Sequence, residues 1–160
     1  YEKVIEQGAK PFGMWALDSL RLEKCFGAWK GDLSTDYSLL ESGLERFINF
    51  EKEQVFPGKN ALLEERKLGV KKKMVSLLVD SDKYDAPYMS TIWCNGKIVG
   101  ETTSGGYGHR IDSSIAMGMI KTEFSIPGQK VEIDIFGVMI KAVVNPKGPI
   151  WDNKNLVMRS

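Results

Sequence analysis

Apolar positions follow two different periods along this chain, and the change falls just before its midpoint. In the first part the spacing is helical. Val4 and Ile5 close a short helix, Gly8 and Pro11-Phe-Gly13 punctuate, and Met14 to about Phe26 forms a longer helix. Leu40, Leu44 and Phe47 recur at helical intervals, although Gly43 weakens that pattern and Phe47-Ile-Asn-Phe50 fits a strand equally well. A further helix is predicted from Lys59 to Lys67, preceded by Pro57-Gly58 and ended by Gly69.

After Gly69 the period shortens to that of strands. Met74 to Val79, Met89 to Cys94, Lys97 to Thr103, Ile115 to Ile120, Lys130 to Phe136 and Val138 to Val144 are short, rich in β-branched and aromatic residues, and separated by turn chemistry. Asn95-Gly96 is a strong hairpin signal, and Gly137 turns a second one. Six short antiparallel strands predict a small closed or nearly closed barrel. The expectation is an α+β chain of two units, residues 1–68 and 69–160, with the boundary between Lys67 and Lys71.

One acidic residue interrupts the pattern. On the Met14 helix, Ala16, Leu20 and Glu23 share a face with Leu17 beside them, so a carboxylate stands where an apolar side chain is expected. Taking that group out of water without donors costs several kcal/mol. Arg21 and Lys24 diverge from it on a helix and are not natural partners. Glu23 therefore joins either an ordinary core ion pair, a solvated edge, or a ligand contact.

Charge and composition narrow the classes. A formal net charge of +1 over 160 residues gives no general pull toward nucleic acid or anionic lipid. The strands also lack an array of aromatics interleaved with Arg or Lys, so no nucleic-acid partner is expected. Lys71-Lys72-Lys73 is the one dense basic run and adjoins a strand, where lysines commonly discourage aggregation. Cys25 and Cys94 have no metal-binding spacing and make no disulfide framework, which fits a reducing compartment. A single histidine, His109, excludes a metal centre built on several histidines and argues against a catalytic triad. No apolar run reaches the length of a membrane span, so no membrane partner is expected, and no signal-peptide pattern opens the chain. Tyr1 and the dozen residues after it read as a stretch from inside a longer protein.

With this organisation in place, a set of motifs resembles the glycine-cleavage T-protein (aminomethyltransferase) superfamily nearly end to end. In order they are Gly13-Met-Trp-Ala-Leu-Asp-Ser-Leu-Arg-Leu-Glu-Lys24, Ala28-Trp29, Asp32-Leu33, Glu41-Ser-Gly-Leu44, Phe56-Pro-Gly-Lys59 and Ala61-Leu62. The strand-rich half adds Asn95-Gly-Lys-Ile-Val-Gly100, Thr103-Ser-Gly-Gly-Tyr-Gly-His-Arg110, Ser114-Ile-Ala-Met-Gly118 and Pro127-Gly128. Lys24 after Arg-Leu-Glu, and the Gly-Gly-Tyr-Gly-His-Arg string, look more like the C-terminal regions of dimethylglycine and sarcosine dehydrogenases than like the T-protein itself.

The resemblance implies a C-terminal fragment of the T-protein fold: a helical remnant of the folate-binding domain followed by the small antiparallel barrel. It implies tetrahydrofolate as cofactor, with FAD confined to a separate domain, since no dinucleotide fingerprint follows a strand here. Glu23 is then the carboxylate that holds the pteridine ring, offering two acceptors to its adjacent N–H donors. Lys52 aligns with or near a basic residue that contacts folate, arginine in T-proteins, and keeps the charge without the planar fork. Trp15 and Tyr107 could stack on a flat ring or simply pack, and Arg21 anchors the fold through carbonyls or a carboxylate. Gly105, Gly106 and Gly108 are expected to form a tight bend carrying a solvent-facing His109.

The family's principal catalytic aspartate has no match, because Asp18, Asp32 and Asp36 stand outside its motif. No catalytic residue is therefore assigned, and turnover is not expected of this stretch alone. In an intact enzyme the partners would be folate, a small N-methyl amine and the N-terminal domains, in the cytoplasm of a bacterium or the mitochondrial matrix of a eukaryote. A true aminomethyltransferase, a folate-dependent demethylase, or a non-catalytic folate-binding or structural module are the alternatives.

Overall fold

The computed structural model describes residues 1–146 and 148–159. Six strands, β1 (Lys72–Val79), β2 (Thr91–Cys94), β3 (Lys97–Gly108), β4 (Ser113–Lys121), β5 (Lys130–Ile135) and β6 (Val138–Val144), close a barrel in the order β1-β4-β3-β2-β5-β6. Every neighbouring pair is antiparallel. Alternation does the sorting: Val131, Ile133 and Ile135 of β5 point inward while Lys130 and Glu132 face water. They meet Leu77, Val79, Ile92, Val99, Ile120 and Val144 in one apolar core.

Two hairpins have the predicted turn chemistry. Asn95 and Gly96 (φ 51° and 72°) join β2 to β3, and Phe136 and Gly137 (φ 53° and 84°) join β5 to β6. Both central residues of each turn are left-handed, which matches the twist of the flanking strands.

Ahead of the barrel lie α1 (Glu2–Glu6), α2 (Met14–Glu23) and α3 (Lys59–Leu68). α2 ends three residues before the expected Phe26. Phe26 N–H donates to Arg21 C=O and Cys25 N–H to Leu22 C=O, with Cys25 left-handed at φ 55°, so a Schellman cap closes the helix with cysteine at the usual glycine position. Leu40 to Phe47 forms no α-helix; Gly43 at φ 70° interrupts it, and only a 3-10 turn survives at Glu45–Phe47. β2 starts at Thr91 rather than Met89, whose φ of 65° kinks the chain.

The largest departure is in β3. The glycine string is not a bend: β3 runs straight through it, with Gly105, Gly106 and Gly108 paired to Ala116, Ile115 and Ser113 of β4. The reversal comes later, through His109–Asp112, where Asp112 takes φ 52°. The glycines serve close approach rather than curvature. On the face of β3 turned to α2, Ser104 hydrogen bonds Asp32, a Cβ on Gly106 would stand 3.1 Å from Leu22 Cδ1, and one on Gly108 would stand 3.2 Å from Glu23 Cγ. Positions 104, 106 and 108 stay small so that α2 can lie against the strand.

Leu22 seals this contact. It is wholly buried with Ile115 and Met117, and Met74, Ile111 and Ile150 pack around them. Beside it, Asp32 is buried and saturated: it accepts from Arg21 Nη1 at 2.9 Å, Ala28 N–H at 2.7 Å, Thr103 Oγ1 at 2.5 Å and Ser104 Oγ at 2.7 Å. Arg21, held also by Asp18, is thus the structural anchor that its position suggested.

Candidate functional site

Glu23 is the last residue of α2, and the Schellman cap turns the chain away immediately after it. The side chain is therefore carried into the seam between α2, the end of β3 and the His109–Asp112 reversal. It is wholly buried. Its Oε1 accepts the Arg110 backbone N–H at 2.6 Å, a short charge-assisted bond. Its Oε2, equally buried, has no hydrogen-bond partner among the described residues. A buried carboxylate oxygen without a partner is costly, which marks Glu23 as the centre of the candidate site.

The neighbouring ionic groups are already committed. Arg21 serves Asp18 and Asp32. Lys24, 5% exposed, donates to the Trp151 and Asp152 carbonyls and to Asn155 Oδ1. Neither cation neutralises Glu23, which agrees with their divergent positions on the helix. Asp36 hydrogen bonds Ser34 in an exposed turn.

Of the four residues expected at a folate site, only Glu23 is buried. Trp15 is 90% exposed and lies eight residues earlier on α2, about 12 Å along its axis. Lys52 is exposed, and its carbonyl accepts from Lys59 Nζ at 2.5 Å. Tyr107 sits between Gly106 and Gly108 on β3, so its ring leaves the opposite face of the strand from Glu23. There it lines a groove of about 760 Å³ with Asp80, Trp93, Asp112, Glu132 and Lys141. The phenol donates to Asp112 at 2.5 Å, and that bond pushes its pKa up. The structure thus sets Trp15 and the Tyr107 ring apart from Glu23 and leaves Lys52 on the surface. Arg110 is the contact that sequence reasoning passed over; it stood at the end of the Gly-Gly-Tyr-Gly-His-Arg string, where only its side chain would have drawn notice.

Among the described residues no cluster of His, Cys, Asp or Glu could hold a metal ion, and no helix is long and apolar enough to cross a membrane. Burial pushes the Cys25 thiol up, which disfavours the thiolate, and Sγ lies against Gly148 C=O at 3.1 Å and Ser76 Oγ at 3.3 Å.

Comparison with known proteins identifies the family of this fold. Residues 72–152 match the glycine cleavage T-protein C-terminal barrel domain, and residues 1–52 match the GCVT N-terminal domain. The chain belongs to the glycine cleavage T-protein family. Within it, the chain is 38% identical over 148 residues to mitochondrial dimethylglycine dehydrogenase of Mus musculus, covering 90% of this chain and 17% of that protein. It is 32% identical over 149 residues to the aminomethyltransferase of Listeria monocytogenes, covering 91% of this chain and 40% of that one. The crystal structure of the glycine cleavage system aminomethyltransferase T from Bartonella henselae superposes with a TM-score of 0.79 at 27% identity, over 86% of this chain and 38% of that one. The chain thus spans two-fifths or less of the length of these relatives.

Proposed function

We propose that this chain is the tetrahydrofolate-binding C-terminal portion of a one-carbon-transfer enzyme of the dimethylglycine or sarcosine dehydrogenase kind. Residues 1–68 would complete the folate-binding domain and residues 69–160 the barrel. The observation that carries the reading is Glu23: a fully buried carboxylate with one oxygen held by Arg110 N–H and the other unpartnered. A pteridine edge offers adjacent N–H and amino donors of the kind that oxygen lacks. When bound, tetrahydrofolate supplies the nitrogen nucleophile that accepts the one-carbon unit.

This chain's own residues bind and orient rather than move protons. Glu23 fixes the ring, Arg110 N–H fixes Glu23, and Leu22 with Ile115 and Met117 keeps the seam dry, which strengthens the recognition. Asp32 and Asp18 are engaged with Arg21 and stand apart from proton transfer. Because Glu23 has no exposed surface, its neighbours must part for a ligand to reach it, and the free chain's apparent affinity is lowered accordingly. Small N-methyl amine binding, any flavin chemistry and the proton-handling acid would belong to the N-terminal domains of the intact enzyme.

Glu23→Gln presents an amide that keeps the shape and removes the charge. Titration calorimetry with tetrahydrofolate should show binding weakened about ten- to a hundredfold, roughly 1.5 to 3 kcal/mol. Unchanged affinity in a folded variant would refute the assignment.

A further inference from the structure

A C-terminal segment reaches both ends of Glu23, the backbone carbonyl directly and the side chain through Arg110. After β6 the chain returns to α2, where Ile150 N–H and Trp151 N–H donate to the Glu23 carbonyl at 2.9 and 3.0 Å. On the side-chain end, the Arg110 N–H that holds Oε1 belongs to a residue whose guanidinium lies on the Trp151 ring, 4.1 Å from its centroid. Lys24 Nζ approaches the same ring at 5.1 Å and donates to the Trp151 carbonyl. One indole therefore meets both Lys24, the residue after the carboxylate in sequence, and Arg110, the residue whose N–H holds it.

The segment is itself braced. Lys24 Nζ bonds Asp152 C=O and Asn155 Oδ1 at 2.8 Å each, with the Asp152 carboxylate 3.7 Å away. That carboxylate accepts from the backbone N–H groups of Leu156, Val157 and Met158, which folds the strap back on itself. Trp151 is thus a fixed platform for Arg110.

We infer that Trp151 is a positioning residue for Glu23: through Arg110 and through the Glu23 carbonyl, it sets the direction in which Oε2 faces its ligand. Where the ligand is concerned, this inference rests on the folate reading. The positioning itself is a property of the free protein. An aromatic face holding a guanidinium is a weak contact, small for the fold and large for the aim of one side chain. A carboxylate swung through a fraction of an ångström loses the geometry that makes it selective.

Amide hydrogen exchange of the 160-residue chain tests the inference without any ligand. In Trp151→Ala and in Arg110→Ala, which keeps its own N–H, exchange at amide 110 should rise about two- to fivefold, while barrel amides such as Ile92 and Ile133 keep their rates. Arg110→Lys, which retains a cation for the ring, should restore most of the protection. Unchanged exchange at amide 110, or an equal rise across the barrel, overturns the inference; should Trp151→Ala not fold, the Arg110 pair decides. In calorimetry with tetrahydrofolate, Arg110→Ala should weaken binding about fivefold when Glu23 is present and not when Glu23→Gln is. An equal loss in both backgrounds, or tighter binding as the strap loosens, also overturns it. Absence of any tetrahydrofolate binding by the unsubstituted chain sinks the folate reading instead, and leaves the exchange result to judge Trp151.

Discussion

Arg21 and Asp32 meet at 2.9 Å with the aspartate side chain wholly out of solvent, and the pair joins α2 to the loop that follows it and, through Thr103 and Ser104, to β3. Removing one member leaves the other charged and short of partners. Asp32→Ala should destabilise the chain by about 3 kcal/mol, and Asp32→Asn, which keeps an acceptor for Ala28 N–H, by clearly less. Urea denaturation followed by circular dichroism measures both; a loss under 1 kcal/mol for the alanine would contradict the role given to Asp32.

The glycines of β3 should not be equivalent. A Cβ at Gly105 would stand 2.3 Å from the Ala86 carbonyl oxygen, a backbone atom that yields only if a chain segment moves. At Gly106 the nearest atom is a leucine methyl 3.1 Å away. Gly105→Ala should cost about 2 to 3 kcal/mol, and Gly106→Ala under about 1. Thermal melts of the two variants, side by side, give the comparison.

Tyr37 offers an alkaline signature. Desolvation, together with the hydrogen bond it donates to Glu101, pushes its phenol up to about 12. In the unfolded chain the phenol titrates near 10, so over that interval the folded state holds the proton and the unfolded state does not. Its contribution is complete below pH 10 and disappears as pH rises toward 12. Stability measured across that window should fall less steeply in Tyr37→Phe.

Asp152 gives the acid counterpart. Burial pushes its carboxyl upward, but the N–H groups of residues 156–158 and the Lys24 ammonium outweigh that and hold the pKa below the ordinary 3.8. A depressed folded value stabilises above the unfolded pKa, and the effect is lost as pH falls through the folded one. The strap should therefore stay attached at pH 5 and loosen below about 3.8. Exchange of amides 156–158, compared with Asp152→Asn, reads this directly; equal acid sensitivity in the two proteins would rule it out.

Much of this architecture was legible because it is local. Asn95-Gly96 and Gly137 turn their hairpins through backbone conformations that the residues themselves prefer, and β6 begins and ends where its alternation does. Glu23 was singled out on a face with Ala16 and Leu20, but α2 instead buries Ser19, Leu22 and Glu23 while Ala16 and Leu17 stay exposed, because the strand that covers the helix lies on that other side. What stayed hidden is non-local. Nothing near Gly105 in sequence tells of Ala86, so the string looked like a bend when it was a strand making room for a neighbour. Trp151 lies 128 residues beyond Glu23, and only the closed barrel carries it back to α2. Trp15 and Tyr107 were chosen for chemistry alone, and helix overhang and strand alternation, respectively, separate them from the carboxylate.

The packing of Leu22 has a last consequence, for what happens if the backbone is severed. Its partners Ile115 and Met117 belong to β4, and Ile150 to the returning strap, so one apolar cluster is shared by segments from both ends of the chain. A protease that nicks the exposed stretch between Lys52 and Lys59 would break the covalent thread without separating what it joins. The two products should co-elute under native conditions and part only in denaturant, because the seam at α2 runs through side chains that the cut never touches.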